Sequence, residues 1–445
     1  MNIEQLYNTR LNNPNLNTSY PLNPNDWDKF NIIAEHPFSN NENLSFYIHI
    51  PFCTSICSFC EYTKVLCPNE ELQFRYLKTL ENDIKKFINK YPKITLKGFD
   101  IGGGTPTSLS EKNFEYLIDI FADTVSNLNL SSDFEPSIEA TFNTLSEEKL
   151  KRIYNAGINR ISLGIQSTQK EVLAINHRDD ISLKEIEKWI NLIKHTGIKK
   201  INLDFMYGLK GQSIKEIESD IDIIKKLNIE QVTLYELRTN MLKSKHNELS
   251  KEKLFEAYDY LYNNLINLGY FAQFGQNTFS LNIEDFGVSS YLRNRMIKGM
   301  AYKGFGISAQ SMNEYGISYN IGKNNTKLLK YLELNSFENK EFYKLPKREL
   351  LAKYIAISAY YGSFSIDIAS DILKENFYNV FKSEINFCIK NNLIEIINNN
   401  MKITNKGFKN YGAVFSLLYL SNNYENTEQP IVHVKHAAGT CKPEC

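Results

Sequence analysis

From residue 45 onward the chain repeats one pattern: a short β-branched or aromatic run, then an amphipathic stretch. This periodicity predicts strands at 45–50, 97–102, 136–141, 159–165, 199–206 and 231–236, and helices over 72–91, 111–126, 146–156, 182–196 and 213–227. Strand–helix–strand repeats cross over right-handed, which makes successive strands parallel. The fold class is therefore α/β, with six units where a closed barrel of the usual kind has eight. In such folds chemistry gathers at the C-terminal ends of the strands, so the residues just after each predicted strand are the ones to inspect.

The first strand runs into Tyr47-Ile48-His49-Ile50-Pro51-Phe52-Cys53-Thr54-Ser55-Ile56-Cys57-Ser58-Phe59-Cys60. A C-x3-C-x2-C loop presents three soft thiolates to one region, and three rather than four suits a cluster iron that keeps an open coordination position. Two other readings stand beside it: a zinc site lacking its fourth ligand, or buried thiols whose spacing is accidental. The second strand ends in Phe99-Asp100-Ile101-Gly102-Gly103-Gly104-Thr105-Pro106-Thr107, where successive glycines permit close backbone approach and a nest of N–H groups suits a carboxylate. Glu139 is a carboxylate at the third strand's end, placed to take ribose hydroxyls or a ligand amine. His49 reads either as a proton donor beside the loop or as a satisfied core histidine.

Taken together, the cysteine loop and the Gly-Gly-Gly-Thr-Pro-Thr turn one strand later resemble the radical S-adenosylmethionine enzymes, in the branch that contains anaerobic coproporphyrinogen III oxidase. The resemblance implies a partial (β/α)6 TIM-like barrel at 45–245. Cys53, Cys57 and Cys60 would hold a [4Fe-4S] cluster whose unique iron is chelated by S-adenosylmethionine, and Gly102, Gly103, Gly104 and Thr105 would lie by its methionyl part. Gln166, Arg178 and Asp204 match family positions that contact this cofactor, while Tyr47 and Phe59 match aromatic positions flanking the cluster and adenine. Tyr47 and His49 join the three cysteines as candidate catalytic residues. Gly304-Phe305-Gly306-Ile307-Ser308-Ala309-Gln310 resembles a segment that lies by a second S-adenosylmethionine, with Gln310 and, more loosely, Tyr291 as its contacts.

Around this core the chain divides into an irregular, polar N-terminal arm (1–44), a barrel extension for the second cofactor and substrate (246–345), a winged-helix-like C-terminal module (346–420) and a polar tail (421–445). The arm contains Thr18-Ser19-Tyr20-Pro21, which resembles a stretch ahead of the barrel in coproporphyrinogen oxidases. His433, His436, Cys441 and Cys445 in the tail could ligate metal or serve as thiol donors, but a polar terminus is more simply unstructured. With 51 Lys+Arg against 51 Asp+Glu, no basic surplus points to nucleic acid, and the winged helix is discounted as a DNA reader. No apolar run is long enough to span a membrane. The amino terminus lacks a secretory pattern, so a cytoplasmic location is expected, with the seven cysteines suited to metal binding rather than disulfides. The expected partners are a small-molecule aromatic or tetrapyrrole substrate and a low-potential donor such as flavodoxin or ferredoxin, with the chain a monomer.

Two departures from the resembled family bear on the reaction. Coproporphyrinogen oxidases usually carry a further cysteine two residues after the third cluster ligand, where this chain has Cys60-Glu61-Tyr62. The haem-chaperone branch carries a His-Asn…Tyr-Trp motif where this chain reads Ser289-Ser290-Tyr291-Leu292-Arg293-Asn294. The leading expectation is accordingly a class C-type methylene transfer to an sp2 carbon of a heteroaromatic or porphyrin-like substrate. Oxidative decarboxylation of coproporphyrinogen III and non-catalytic haem carriage are the alternatives.

Overall fold

A computed structural model describes residues 2–11, 20–21, 24–40, 42–60, 62–66, 69–178, 181–237, 250–322 and 328–418. The six expected strands are β1 (Asn43–Ile50), β2 (Thr95–Gly103), β3 (Pro136–Ala140), β4 (Arg160–Gln166), β5 (Lys200–Tyr207) and β6 (Gln231–Glu236). Between them run α1 (Glu70–Lys90), α2 (Glu111–Ser126), α3 (Glu147–Asn155), α4 (Leu183–Thr196) and α5 (Ile214–Leu227), within a residue or two of the predicted spans. Side chains fix several helix starts. Asn69 accepts from the Leu72 N–H at 3.1 Å, and Ser182 with Glu185 and Ser213 with Glu216 form capping boxes. All six strands pair parallel in chain order.

The pleat sorts each strand's residues onto two faces. Phe46, Ile48, Ile101, Ile138, Ile161, Leu163, Ile201, Leu203, Val232 and Leu234 are buried and share one apolar core with the helices. The alternate residues are polar and bond one another across strands. Arg160 donates from Nε to Gln231 Oε1 at 2.7 Å and from Nη1 to Ser137 Oγ at 3.0 Å. Asn202 Nδ2 donates to Ser162 Oγ and to Asp204 Oδ1, each at 2.8 Å, and Thr233 Oγ1 donates to Asn202 Oδ1 at 3.0 Å. The concave face is thus a polar interior rather than a core.

Two features escape the sequence pattern. The sheet continues beyond β1 through β7 (Tyr302–Phe305), which pairs with it in parallel and sets Gly304 opposite Tyr47; β8 (Gln310–Asn313) and β9 (Gly316–Tyr319) follow antiparallel. The segment with Gly304 and Gly306 therefore belongs to the main sheet. Just before it, residues 289–297 plug the barrel interior. Ser289 Oγ donates to Asp100 Oδ2 at 2.6 Å, Ser290 Oγ to the Glu135 carbonyl at 2.7 Å and Asn294 Nδ2 to the Lys97 carbonyl at 3.0 Å. Gly98 makes room for the plug, since a Cβ there would lie 2.5 Å from the Tyr291 nitrogen.

After the plug and β9, α6 (Lys347–Ser358), α7 (Ile366–Leu373) and α8 (Lys382–Lys390) combine with a three-stranded antiparallel sheet of β10 (Ser363–Ser365), β11 (Ile394–Ile397) and β12 (Asn400–Ile403), ordered β10–β12–β11. Helices followed by a small hairpin are what the sequence pattern anticipates. The expected irregular arm is in part a helix, Ile3–Leu11, and Leu6, Tyr20 and Trp27 are buried in the core of these C-terminal helices. Tyr20 and Trp27 both donate to Glu349 Oε2, at 2.6 and 2.9 Å. Asn-rich composition hid a helix whose stability comes from tertiary packing. No helix among the described residues is long and apolar enough to cross a membrane. The 421–445 tail, with His433, His436, Cys441 and Cys445, lies outside the described residues, as do Thr18, Ser19, Glu61 and Cys67.

Phe46 is fully buried on β1, with ring centroids of Phe87, Phe99 and Phe305 at 5.8, 5.9 and 5.1 Å. Phe46→Ala is expected to destabilise the barrel by about 3–5 kcal/mol, read as a lower urea midpoint; an unchanged midpoint would show that β7 and α1 do not share this core.

Candidate active site

The loop after β1 is held from three directions. Ser58 donates through its N–H and its Oγ to the Asn176 carbonyl, at 3.2 and 2.9 Å. Lys64, only 4% exposed, donates from Nζ to the Cys60 and Tyr62 carbonyls at 2.7 and 3.3 Å. Cys53, Cys57 and Cys60 line one cavity, partly open to solvent, together with Lys64, Gly104, Thr105 and Arg178. Arg178 donates to Cys57 Sγ at 3.4 Å and to the Gly164 carbonyl. Burial first, then Cys60, pushes the Cys53 thiol up to about 11. A thiol so placed becomes a thiolate against a cation, which is what a metal cluster supplies.

Among the described residues no three His, Cys, Asp or Glu side chains converge closely enough to hold a single metal ion. Three thiols spread around a shared cavity suit a cluster in which each cysteine meets a different iron, and they do not suit one tetrahedral zinc. The residues present therefore fit a [4Fe-4S] group.

The Gly-rich turn works differently from the expected N–H nest. The N–H of Gly103 donates to Glu139 Oε2 at 3.1 Å, that of Gly104 to the Ile50 carbonyl at 2.7 Å and that of Thr105 to the Phe52 carbonyl at 2.8 Å. These donors are used within the protein. The glycines instead let its own groups pass: a Cβ on Gly102 would lie 2.5–2.7 Å from the Glu139 carboxyl, and Gly103, at φ +122°, packs under the His49 ring. Gly104 and Thr105 still face the cavity, with Thr105 Oγ1 3.9 Å from Cys53 Sγ.

His49 is only 5% exposed and both ring nitrogens are engaged. Nε2 lies 2.7 Å from the Thr63 carbonyl, so it carries the proton; Nδ1 then accepts from the Tyr47 hydroxyl at 3.2 Å. Burial pushes this imidazole down to about 4, so it stays neutral and orients Tyr47. Both ring nitrogens of His49 are thus satisfied within the protein.

Three carboxyls face the barrel interior. Glu139 is raised to about 8, first by the enclosing walls and then by Asp204 and Asp100, against the Gly103 N–H; water still reaches it from the concave side. Burial raises Asp100 to about 7, opposed by Ser289 and Arg160. Asp204 is also raised by burial, despite donors on Asn202 and Ser162. Gln166, at φ +70°, and Arg178 meet over Gly164: a Cβ there would lie 2.9 Å from Gln166 Nε2 and 3.3 Å from an Arg178 Nη. Phe59 packs beside Val172, Leu209 and Leu237 next to the loop and does not line the cavity.

Tyr291 and Gln310 lie deeper, with β7. The Tyr291 ring stacks on Tyr47 at 5.7 Å and 27°, and Gln310 Oε1 accepts from Arg295 at 3.3 Å and from the Tyr302 hydroxyl. The Tyr47–Tyr291 stack thus joins β1 to the plug beside β7. Sequence reading missed Asp100, Arg160, Lys64 and Arg295; a signal for Asp100 was its alternation with Gly98 and Gly102 on one strand face.

Residues 47–224 match the family model described as the Radical SAM superfamily. Among curated proteins, the chain is 34% identical over 210 residues to the heme chaperone HemW of Bacillus subtilis, covering 47% of this chain and 54% of that protein. It is 30% identical over 204 residues to the oxygen-independent coproporphyrinogen III oxidase of Helicobacter pylori, covering 44% of each. These matches span about half the length of the relatives, whereas a heme chaperone HemW of Lactococcus lactis is matched over 98% of its length at 27% identity. The structure of coproporphyrinogen III oxidase (HemN) from Escherichia coli superimposes with a TM-score of 0.70 at 20% identity, covering 87% of this chain and 92% of that one, which shows a shared fold. The radical SAM match implies a [4Fe-4S] cluster and S-adenosylmethionine as cofactors.

Because Glu139 lies above the usual carboxylate range, the stability held in its protonated form is present at low pH and is lost progressively as pH rises from about 4.5 to about 8. Cluster-free Glu139→Gln protein is expected to lose less thermal stability than wild type between pH 6 and 9. Parallel loss in both would show that Glu139 carries no raised proton.

Proposed function

We propose, from the premise that this chain carries a radical SAM domain, that it is an enzyme acting on a tetrapyrrole, with oxygen-independent oxidation of coproporphyrinogen III as the leading reaction. The observation that carries the radical chemistry is the shared cavity of Cys53, Cys57, Cys60, Arg178 and Thr105 at the C-terminal end of β1. A [4Fe-4S] cluster held by Cys53, Cys57 and Cys60, with S-adenosylmethionine beside it, would supply reductive cleavage of the sulfonium, the electron coming from an external low-potential donor. Arg178 would keep the Cys57 sulfur electrostatically poised, Glu139 and Asp204 would take amine or hydroxyl groups of the cofactor, and Tyr47 would present a ring held by His49.

The names of both sets of relatives support a tetrapyrrole ligand, and neither supports the methylene transfer that leads the sequence reading. One observation keeps that transfer as a second reading: Tyr62 stands where coproporphyrinogen oxidases usually carry a fourth cysteine. Haem carriage has less support in the residues. Ser289, Ser290 and Asn294, which stand in the stretch of the chaperone motif, are hydrogen-bonded inside the barrel plug and offer no haem ligand.

The test is an anaerobic assay of the reconstituted protein with dithionite, S-adenosylmethionine and coproporphyrinogen III. The expected result is 5′-deoxyadenosine with loss of two carboxyl groups and no S-adenosylhomocysteine. A methylated tetrapyrrole with S-adenosylhomocysteine would replace this reading by the second; haem binding without turnover would establish a carrier.

A further inference from the structure

Arg295 sits on a π-helical turn, Arg293–Ile297, a local irregularity often associated with function. Its guanidinium lies 4.8 Å from the centre of the Tyr302 ring and 5.9 Å from that of Tyr291. One Nη donates to Gln310 at 3.3 Å, while Nε is buried with no hydrogen-bond partner. Among the described residues no carboxylate lies within ion-pair distance of it. The neighbouring phenols of Tyr302 and Tyr319 are pushed up to about 12 by burial, so no phenolate balances the charge. Asp100 feels this charge across the interior, but its Oδ2 accepts from Ser289 and its Oδ1 has no partner.

Aromatic faces stabilise a cation without neutralising it, and an enclosed charge lacking a counter-ion costs free energy that a ligand anion would offset. Arg295 as a whole keeps part of its surface accessible while its Nε is enclosed, which leaves a way of approach for a ligand. The cysteine cavity lacks Arg295 among its lining residues, which makes this a separate recognition point.

We propose that Arg295 is the carboxylate-binding residue of the barrel interior, forming an ion pair with a carboxylate side chain of the tetrapyrrole while Gln310 and Tyr302 fix its orientation. The tetrapyrrole as source of that carboxylate rests on the function proposed above. A second S-adenosylmethionine bears the same chemical group in its methionyl carboxylate, and the experiment separates the two.

Full-length, cluster-reconstituted wild type, Arg295→Gln and Arg295→Lys are titrated with coproporphyrin III and with its tetramethyl ester by fluorescence quenching. Bound S-adenosylmethionine is counted by equilibrium dialysis. Arg295→Gln is expected to raise the Kd for coproporphyrin III roughly 10- to 100-fold, as for loss of a charge-assisted pair. Arg295→Lys should recover part of that loss, and the ester should bind wild type and both variants alike. Loss of one S-adenosylmethionine with unchanged coproporphyrin binding would assign the carboxylate to the cofactor. If neither ligand responds, Arg295 is not a carboxylate site. If wild type binds no coproporphyrin, the tetrapyrrole reading fails and the dialysis alone decides the role of Arg295.

Discussion

Everything in this molecule depends on the division of residues between the two faces of its parallel strands. A parallel sheet covered on both faces usually reads as continuous apolar runs. Here only one face of each strand is apolar and packs under the helices, and the other carries Tyr47, His49, Asp100, Glu139, Arg160, Ser162, Asn202, Asp204 and Thr233. Such a polar interior survives because its groups bond one another, through Arg160 to Gln231 and Ser137, and through Asn202 to Ser162 and Asp204. The apolar outer face supplies the stability, which leaves the inner face for binding.

From that inner face the site is graded. Cysteine thiols and Arg178 occupy the C-terminal end of the strands, raised carboxyls and a neutral histidine the middle, and a tyrosine-lined arginine the side where β7 joins the sheet. The Tyr47–Tyr291 stack links the second of these to the third, since Tyr47 bonds His49 and Tyr291 lies against Arg295. Carboxyls raised toward neutrality and a cation with no paired carboxylate among the described residues are the two kinds of group this interior presents.

The strands and helices of the barrel were legible because their signals are local: period-two and period-3.6 patterns, Ser and Asn caps, and a cysteine spacing that only a loop can present. β7 was not legible. Gly304 and Gly306 read as a turn, and what makes Tyr302–Phe305 a strand is its pairing with β1, more than 250 positions earlier in the chain. The Gly102–Thr105 turn shows a subtler failure, since spacing told correctly that backbone must be approached closely there but not that Glu139, His49 and the Phe52 carbonyl do the approaching. Arg295 was silent because nothing in its neighbouring sequence reveals that tyrosine rings will surround it and that, among the described residues, no carboxylate will pair with it.

The central claim is that Cys53, Cys57 and Cys60 together hold the cluster at which S-adenosylmethionine is cleaved. It is tested most directly by anaerobic reconstitution of wild type and of the Cys53→Ala/Cys57→Ala/Cys60→Ala chain, with iron and sulfide content and 5′-deoxyadenosine formation measured side by side. The account predicts a [4Fe-4S] complement and deoxyadenosine from wild type, and neither from the triple variant. A triple variant that still holds the cluster and still cleaves S-adenosylmethionine would contradict it.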